Sequence, residues 1–140
     1  MNDDQMMKDI LLSTRTIASV GLSSNMEKES YWIASYLKEQ GYRVIPVNPT
    51  TDEILGEKAY PDLESIPEQV DVVQVFRRPE DVPPVVDAAI QAGAKVVWMQ
   101  EGIVHEEAAQ KAREAGLQVV MDACMRMTHR RLIGPRLMSL

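Results

Sequence analysis

The sequence predicts an α/β domain in which helices cover both faces of a parallel sheet. Five short apolar runs rich in valine and isoleucine recur along the chain. The segments between them carry apolar side chains at helical spacing, and two of these segments end at Gly41 and Gly116. Apolar runs that alternate with helical segments of about 10–15 residues are typical of βαβ units. We therefore expect a doubly wound, three-layer sandwich.

The helices and strands follow one another in a regular order. The predicted strands are residues 16–20, 43–47, 71–76, 95–99 and 118–121. The predicted helices are residues 2–14, 30–40, 80–92 and 105–115, and a short helix follows near Met125. Right-handed crossovers favour the strand order 3-2-1-4-5, counted along the chain, for this five-stranded sheet. The chain then reverses between strands 1 and 4, and a ligand crevice is expected above their carboxyl ends.

Individual residues support these elements. The first two helices carry apolar stripes, formed by Met6, Met7, Ile10 and Leu11 and by Ile33, Ala34 and Leu37. Pro46 indicates that one side of the second strand is unpaired or irregular. Pro83 and Pro84 must lie in the first turn of the third helix or displace its start. Residues 48–69 are the least regular stretch, where we expect loops and one short helical turn near residues 63–65.

Length and composition bound the function classes. The apolar content of 45% and charged content of 26% fit one globular domain over residues 1–140, with a core at about residues 12–131. The formal net charge of −6 disfavours nonspecific nucleic-acid binding, and no apolar run is long enough to span a membrane. A single cysteine and an acidic N-terminus without an apolar core favour a cytoplasmic protein without a secretory signal.

The turn after the first predicted strand is the best candidate for an anion site. Gly21 allows a ligand to approach the backbone, and a helix begins near Ser30. A nicotinamide dinucleotide site would have two more glycines in this turn and an acid after the second strand. Asn48 and Pro49 occupy the position of that acid, and no Gly-Lys-Ser or Gly-Lys-Thr phosphate loop occurs. The turn therefore predicts phosphate binding without the pattern of an NAD site.

Arginines supply further candidate contacts. Arg77 and Arg78 follow the third strand, and their guanidinium groups suit phosphate geometry. A surface pairing with Glu80 and Asp81 is an equally open interpretation. Residues 126–136 hold Arg126, Arg130, Arg131 and Arg136 without an acid. We favour a solvated basic tail for this run, with a phosphate or partner contact as the alternative.

The sequence contains no convincing catalytic or metal-binding set. On a helix of 100° per residue, Cys124 and His129 point roughly 140° apart, so they would not meet. His105 is expected to begin a surface helix, and the wide separation of the histidines and the cysteine gives little support for zinc. Asp122 is better interpreted as a helix cap than as a base.

Several segments in the same order closely resemble the small stand-alone CoA-binding proteins. These segments are residues 20–23, 42–49, 71–80, 98–100 and 120–125. The family has a Rossmann-like fold, which it shares with the CoA-binding domain of the succinyl-CoA ligase α-subunit. The stretch Gln-Glu-Gly-Ile at residues 100–103 is similar to a Thr-Glu-Gly-Ile stretch of that domain. The resemblance covers about residues 12–131.

The resemblance also implies which residues contact CoA. By this resemblance, the pyrophosphate lies at Gly21, Leu22 and Ser23, and the adenosine at Val47, Asn48 and Pro49. The segment along the nucleotide and its pantetheine arm comprises Phe76, Arg77, Arg78 and Pro79, and Val75 before it is also expected to contact the ligand. The floor comprises Met99 and Gln100. Where relatives often show Arg-Pro-Ser, this chain has Lys28, Glu29 and Ser30. Lys28 and Ser30 fit the same site, whereas the Glu29 carboxylate would repel phosphates unless it points to solvent.

The resemblance implies a protein that binds CoA or an acyl-CoA and is not an enzyme, because the catalytic domains of the ligase are absent. A mixed disulfide between Cys124 and the CoA thiol is an open hypothesis. Two alternatives also remain. One is an enzyme that uses NAD(P) or another nucleotide cofactor, and the other is a regulatory protein with a vestigial pocket. The acyl group, a protein partner and a homo-oligomer are left open by the sequence.

Overall fold

The computed structural model describes residues 2–135, and its main sheet contains the five predicted strands. All neighbouring strands of this sheet run parallel. The strands are β1 (Thr16–Val20), β2 (Arg43–Val47), β5 (Val72–Val75), β6 (Val96–Met99) and β7 (Gln118–Val120). Two very short strands, β3 (Glu53–Ile54) and β4 (Glu57–Lys58), form an antiparallel hairpin that was not predicted.

The helices agree with the predicted segments to within a few residues. They are α1 (Asp4–Ser13), α2 (Glu29–Glu39), α3 (Val82–Gln91), α4 (Glu106–Glu114) and α5 (Met125–Leu132). A single 3-10 turn, Pro79–Asp81, precedes α3, and Pro83 and Pro84 lie in the first turn of α3 as expected. His105 begins α4 by accepting a hydrogen bond at Nδ1 from the Ala108 N–H, 3.1 Å away.

The order of the strands corrects the sequence prediction. The sheet runs β2-β1-β5-β6-β7, which is 2-1-3-4-5 for the five predicted strands rather than 3-2-1-4-5. The third strand cannot lie outside β2, because the chain after β2 folds back along that edge. There the Tyr60 N–H donates to the Pro46 carbonyl at 3.0 Å, and the Asn48 N–H donates to the Tyr60 carbonyl at 2.9 Å. Pro46 has no N–H to offer on this side, so it suits an edge without a further strand.

Ion pairs hold this returning segment in place. The Arg43 guanidinium on β2 contacts the carboxylates of Glu57 at 2.5 Å and Glu68 at 2.6 Å. The hydrogen bond that Arg43 donates to Glu68, followed by the one that it donates to Glu57, raises the pKa of Arg43. The region expected to form a helical turn is a hydrogen-bonded turn, in which the Asp62 carboxylate accepts from the Ser65 N–H at 2.8 Å. Residues 48–69 therefore cover the outer edge of the sheet and are held against β2 by hydrogen bonds and ion pairs.

Polar contacts join β5 to β1 at both ends of the pair. At the amino end, the Asp71 carboxylate accepts from the N–H groups of Arg15 at 2.9 Å and Thr16 at 3.0 Å. Burial alone would raise the pKa of Asp71, but these hydrogen bonds and Lys95 lower it. Further along, the Ser19 hydroxyl donates to Gln74 Oε1 at 2.6 Å, and both side chains are fully buried. These contacts fix β5 beside β1.

Two apolar layers lie on opposite faces of the sheet. Residues 18, 20, 73, 75, 97 and 99 pack with α3 and α4, whereas residues 17, 72, 96 and 98 pack with α1, α2 and α5. This division follows the period of two in a β-strand. It confirms the predicted sandwich of helices around a parallel sheet. Within residues 2–135, no helix combines the length and the hydropathy needed to cross a membrane.

His129 on α5 is buried in the layer that contains α1 and α2. Its Nδ1 lies 2.8 Å from the Tyr36 hydroxyl, and its ring packs edge-on against Tyr42. The Tyr42 hydroxyl donates to the Leu11 carbonyl at 2.6 Å, and burial raises the pKa of Tyr42 to about 12. Burial also lowers the pKa of His129. The neutral imidazole is therefore the form that this packing favours.

We expect the stability of the protein to fall as the pH decreases from about 7.5 to about 5.5, and His129 to cause part of that fall. The unfolded chain takes up the imidazole proton near the ordinary His pKa of about 6.5, whereas the folded chain resists it to lower pH. The stabilisation by neutral His129 is thus present above this pKa and lost below it. Urea unfolding at several pH values should show a shallower dependence for His129→Gln than for the wild type. Equal dependences in the two proteins would contradict this role of His129.

Candidate functional site

The junction of β1 and β5 forms the centre of the candidate site. The Gly21 N–H donates to the Val47 carbonyl at 3.0 Å, and the Phe76 N–H donates to the Val20 carbonyl at 2.9 Å. Gly21 has a φ of +88°, and a Cβ on it would lie 3.0 Å from the Phe76 carbonyl oxygen. The predicted position of the crevice, between strands 1 and 4, is therefore wrong. The chain reverses between β1 and β5, so Gly21 directly faces the segment that carries Arg77.

The turn after β1 contains the predicted pyrophosphate contacts Gly21, Leu22 and Ser23, and hydrogen bonds join it to Asn48 and Ser30. The Asn48 amide donates to the Leu22 carbonyl at 3.0 Å, and the Ser23 N–H donates to the Ser30 hydroxyl at 3.2 Å. Helix α2 then begins at Glu29 without a side-chain cap, and Lys28 is exposed at the preceding position. An uncapped helix start of this kind leaves backbone N–H groups for an acceptor.

A cavity of 180 Å³ lies on the α3 face of this junction. It is lined mainly by apolar side chains, with Arg77 as the cation and Asp62 as the acid. The lining residues are Val20, Val47, Pro61, Asp62, Leu63, Arg77, Pro84, Val85 and Ala88. Only Val47 and Arg77 were predicted as site residues. The other lining residues belong to α3, to β1 and to the loop at residues 61–63. Nothing in the composition of these segments indicated that they line a cavity. We call this space the first cavity.

The two consecutive arginines have different surroundings. Arg77 is half-buried and makes no hydrogen bond or ion pair with any residue from 2 to 135. Arg78 is exposed, and its Nε donates to the Asp81 carboxylate at 3.0 Å. This hydrogen bond, aided by the charges of Asp81 and Glu80, raises the pKa of Arg78. The surface-pair interpretation therefore applies to Arg78, whereas the Arg77 guanidinium is available to a ligand.

A second cavity, of 240 Å³, lies on the opposite face of the sheet edge. The lining residues are Glu29, Ile33, Phe76, Gln100, Glu101, Ile103, Cys124, Arg126 and Met127. Phe76 and Gln100 were predicted, and Glu29 is exposed at the rim. Arg126 is half-buried, so the interpretation of residues 126–136 as a solvated tail is wrong for this residue. Arg131 pairs with Asp4 at 2.9 Å, and Arg136 lies outside the described residues.

The other predicted site residues lie below or beside the two cavities. The side chains of Leu22, Val75 and Met99 are fully buried in the core, so they support the site from beneath. Pro49 and Pro79 are exposed at the surface. Asp122 does not cap α5, because its carboxylate accepts from the Gly102 N–H at 2.7 Å. Within residues 2–135, no group of three metal-binding side chains occurs.

The fold and site define a parallel α/β domain with candidate ligand-binding groups at the carboxyl edge of its sheet. The chain belongs to the CoA-binding domain family, whose model matches residues 15–130. This match confirms the family resemblance found in the sequence.

Relatives include stand-alone proteins and parts of larger enzymes. The chain is 42% identical to the uncharacterised protein YneT of Bacillus subtilis over 88% of this chain and 91% of that protein. It shares 42% identity and a TM-score of 0.92 with a hypothetical protein from Pyrococcus horikoshii, over 95% and 94% of the two chains. It is also 33% identical to an ADP-forming acetate–CoA ligase of Archaeoglobus fulgidus, over 61% of this chain but only 13% of the ligase.

We expect Gly21→Ala to reduce the free energy of unfolding more than Gly116→Ala does. Both glycines have a positive φ, +88° and +94°, but only at Gly21 would the added Cβ meet another atom within 4 Å. The left-handed conformation costs an alanine about 1–2 kcal/mol at either position. Crowding against Phe76 should add roughly 1–3 kcal/mol at Gly21. Urea unfolding measures both losses, and equal losses would show that β1 and β5 are not in close contact there.

Proposed function

We propose that this protein binds CoA or an acyl-CoA across the Gly21 turn and that it is a binding protein without catalytic activity. The main observation in favour is the half-buried side chain of Arg77, which lines an apolar cavity and whose guanidinium has no partner within residues 2–135. An anionic ligand group could therefore pair with this guanidinium through charge-assisted hydrogen bonds. Membership of the CoA-binding domain family supports the same ligand.

The two cavities suit different parts of such a ligand. The apolar lining of the first cavity, which includes Val47, Leu63 and Val85, suits an adenine ring. Arg77 and the backbone of the Gly21 turn lie where phosphates would follow. The pantetheine arm would then cross the sheet edge past Phe76 towards the second cavity. The ligand would thus enter at the carboxyl ends of β1 and β5, as in other doubly wound sheets.

The arrangement of Cys124 and His129 supports a non-catalytic role. Cys124 lines the second cavity, but His129 is buried with its Nδ1 against the Tyr36 hydroxyl. A thiol and an imidazole placed in this way do not form the hydrogen-bonded nucleophile and base that acyl transfer needs. We further propose a cytoplasmic location, because the lone cysteine suits a reducing compartment.

The ligand can be tested directly on the purified protein. Thermal unfolding should shift upward with CoA and less with dephospho-CoA, NAD or NADP, because a ligand that binds only the folded state stabilises it. Mass spectrometry of the denatured protein would identify any ligand that co-purifies. A shift with NAD but none with CoA would overturn the proposal, and no shift with any of these ligands would favour a protein with a vestigial pocket.

Arg77→Ala should weaken CoA binding more than Arg78→Ala does, because Arg77 lines the cavity and pairs with no carboxylate among residues 2–135, whereas Arg78 pairs with Asp81. Loss of a hydrogen bond to a charged group is expected to cost about 1.5–3 kcal/mol of binding free energy. Isothermal titration calorimetry measures the affinities. Arg113→Ala, which removes the same charge at the far end of α4, should leave binding unchanged. If Arg77→Ala binds CoA as tightly as the wild type does, Arg77 does not contact the ligand.

A further inference from the structure

The second cavity contains two hydrogen-bond donors for which residues 2–135 supply no acceptor. Gln100 is only 4% exposed, and its Oε1 accepts from the Met125 N–H at 3.2 Å. Because that contact requires the oxygen of the amide, the NH₂ group is the end left over. Among the described residues its Nε2 has no partner, and neither does Nε of Arg126. Both residues line the cavity. Buried donors of this kind are normally satisfied, so an acceptor is expected here.

The charged residues around the second cavity indicate what kind of ligand group would accept these hydrogen bonds. Glu29 and Glu101 lie on the lining with Arg126 as the only described cation among its residues, so two carboxylates oppose one guanidinium. A phosphate or carboxylate would meet repulsion from both acids. A carbonyl oxygen is neutral and accepts hydrogen bonds without this penalty. The first cavity is different, since its cation, Arg77, has only Asp62 beside it.

The shape and lining of the cavity indicate one end of a ligand rather than a whole one. Its volume of 240 Å³ is below the roughly 300–1,000 Å³ of pockets that enclose a complete drug-sized ligand. Apolar side chains, namely Ile33, Phe76, Ile103 and Met127, surround the two donors. A short uncharged chain that carries one carbonyl group matches this combination.

We propose, on the basis of the CoA-binding function proposed above, that the second cavity binds the acyl end of a short, uncharged acyl-CoA. In this arrangement Gln100 Nε2 donates to the thioester carbonyl oxygen, and the apolar side chains contact the acyl chain. Free CoA ends in a thiol and offers no such oxygen. The protein therefore distinguishes acyl-CoA from CoA, and Gln100 determines this specificity.

Calorimetry with four ligands tests this specificity on the wild-type chain. The ligands are acetyl-CoA, succinyl-CoA, free CoA and S-ethyl-CoA, a thioether that keeps the size of the acetyl group but lacks its carbonyl oxygen. Acetyl-CoA should bind roughly three- to tenfold more tightly than S-ethyl-CoA, as expected for one neutral hydrogen bond. Succinyl-CoA should bind less tightly than acetyl-CoA, because its carboxylate would meet Glu29 and Glu101.

A substitution of Gln100 tests whether this residue causes the preference for acetyl-CoA over S-ethyl-CoA. Gln100→Met keeps the length of the side chain but removes the donor, so acetyl-CoA and S-ethyl-CoA should bind to it equally. Gln118→Met is the matched control, because Gln118 is exposed at the start of β7, at the opposite end of the sheet. Thermal unfolding of each variant shows whether it is folded. If Gln100→Met does not fold, the comparison of acetyl-CoA with S-ethyl-CoA on the wild-type protein still tests whether the site recognises the carbonyl group.

The results of these experiments distinguish a failure of the acyl specificity from a failure of the CoA binding on which it rests. Equal wild-type affinities for CoA, acetyl-CoA and S-ethyl-CoA would overturn the acyl specificity but leave CoA binding intact. Equal weakening of all three ligands by Gln100→Met would likewise overturn it, since Gln100 would then contact a part common to all. A preference for succinyl-CoA would contradict the neutral-acyl assignment. No binding of any CoA species would overturn the proposed function itself.

Discussion

The pairing of β5 with β1 is the constraint on which the rest of the site depends. A fully buried hydrogen bond joins Ser19 to Gln74 across this pair, at 2.6 Å. Separating the strands would leave both polar groups without partners in an apolar layer, which is costly. The pair brings Gly21 against the Phe76 carbonyl. Because β5 lies beside β1, the turn after one strand and the arginine after the other lie at a single junction.

Strand geometry then distributes the side chains between the two cavities. Residues 73 and 75 face α3, so Arg77 continues that alternation on the same side, whereas Phe76 follows residues 72 and 74 to the other face. The same alternation in β6 continues into the next residue and places Gln100 on the face of Phe76. Gln74 and Gln100 both contact Met125 there, the first at Sδ and the second at the backbone N–H. These contacts place the start of α5, and with it Cys124 and Arg126, at the second cavity.

Most of the elements were predictable from sequence because each strand is a short apolar run and each helix has a periodic apolar face. The strand order was not, because right-handed crossovers permit both 3-2-1-4-5 and 2-1-3-4-5. The signals that distinguish them are tertiary: the Asp71 carboxylate that binds the start of β1, and Tyr60, which covers the outer edge at Pro46. The second cavity was missed in part because Arg126 lies in a basic run, and charge alone does not show which arginine of such a run is half-buried.

The contrast between the cavities bears on how a ligand would be oriented. The first joins the Arg77 guanidinium, which is unpaired among the described residues, to an apolar lining, whereas the second joins neutral and cationic donors to a rim with two carboxylates. In the proposed arrangement, the anionic nucleotide would lie at the first cavity and a neutral chain with a carbonyl group would lie at the second. A ligand whose two ends differ in this way has one favourable orientation across the Gly21 turn. Glu29, which looked unfavourable for phosphate binding in the sequence, lines the second cavity and thereby contributes to this polarity.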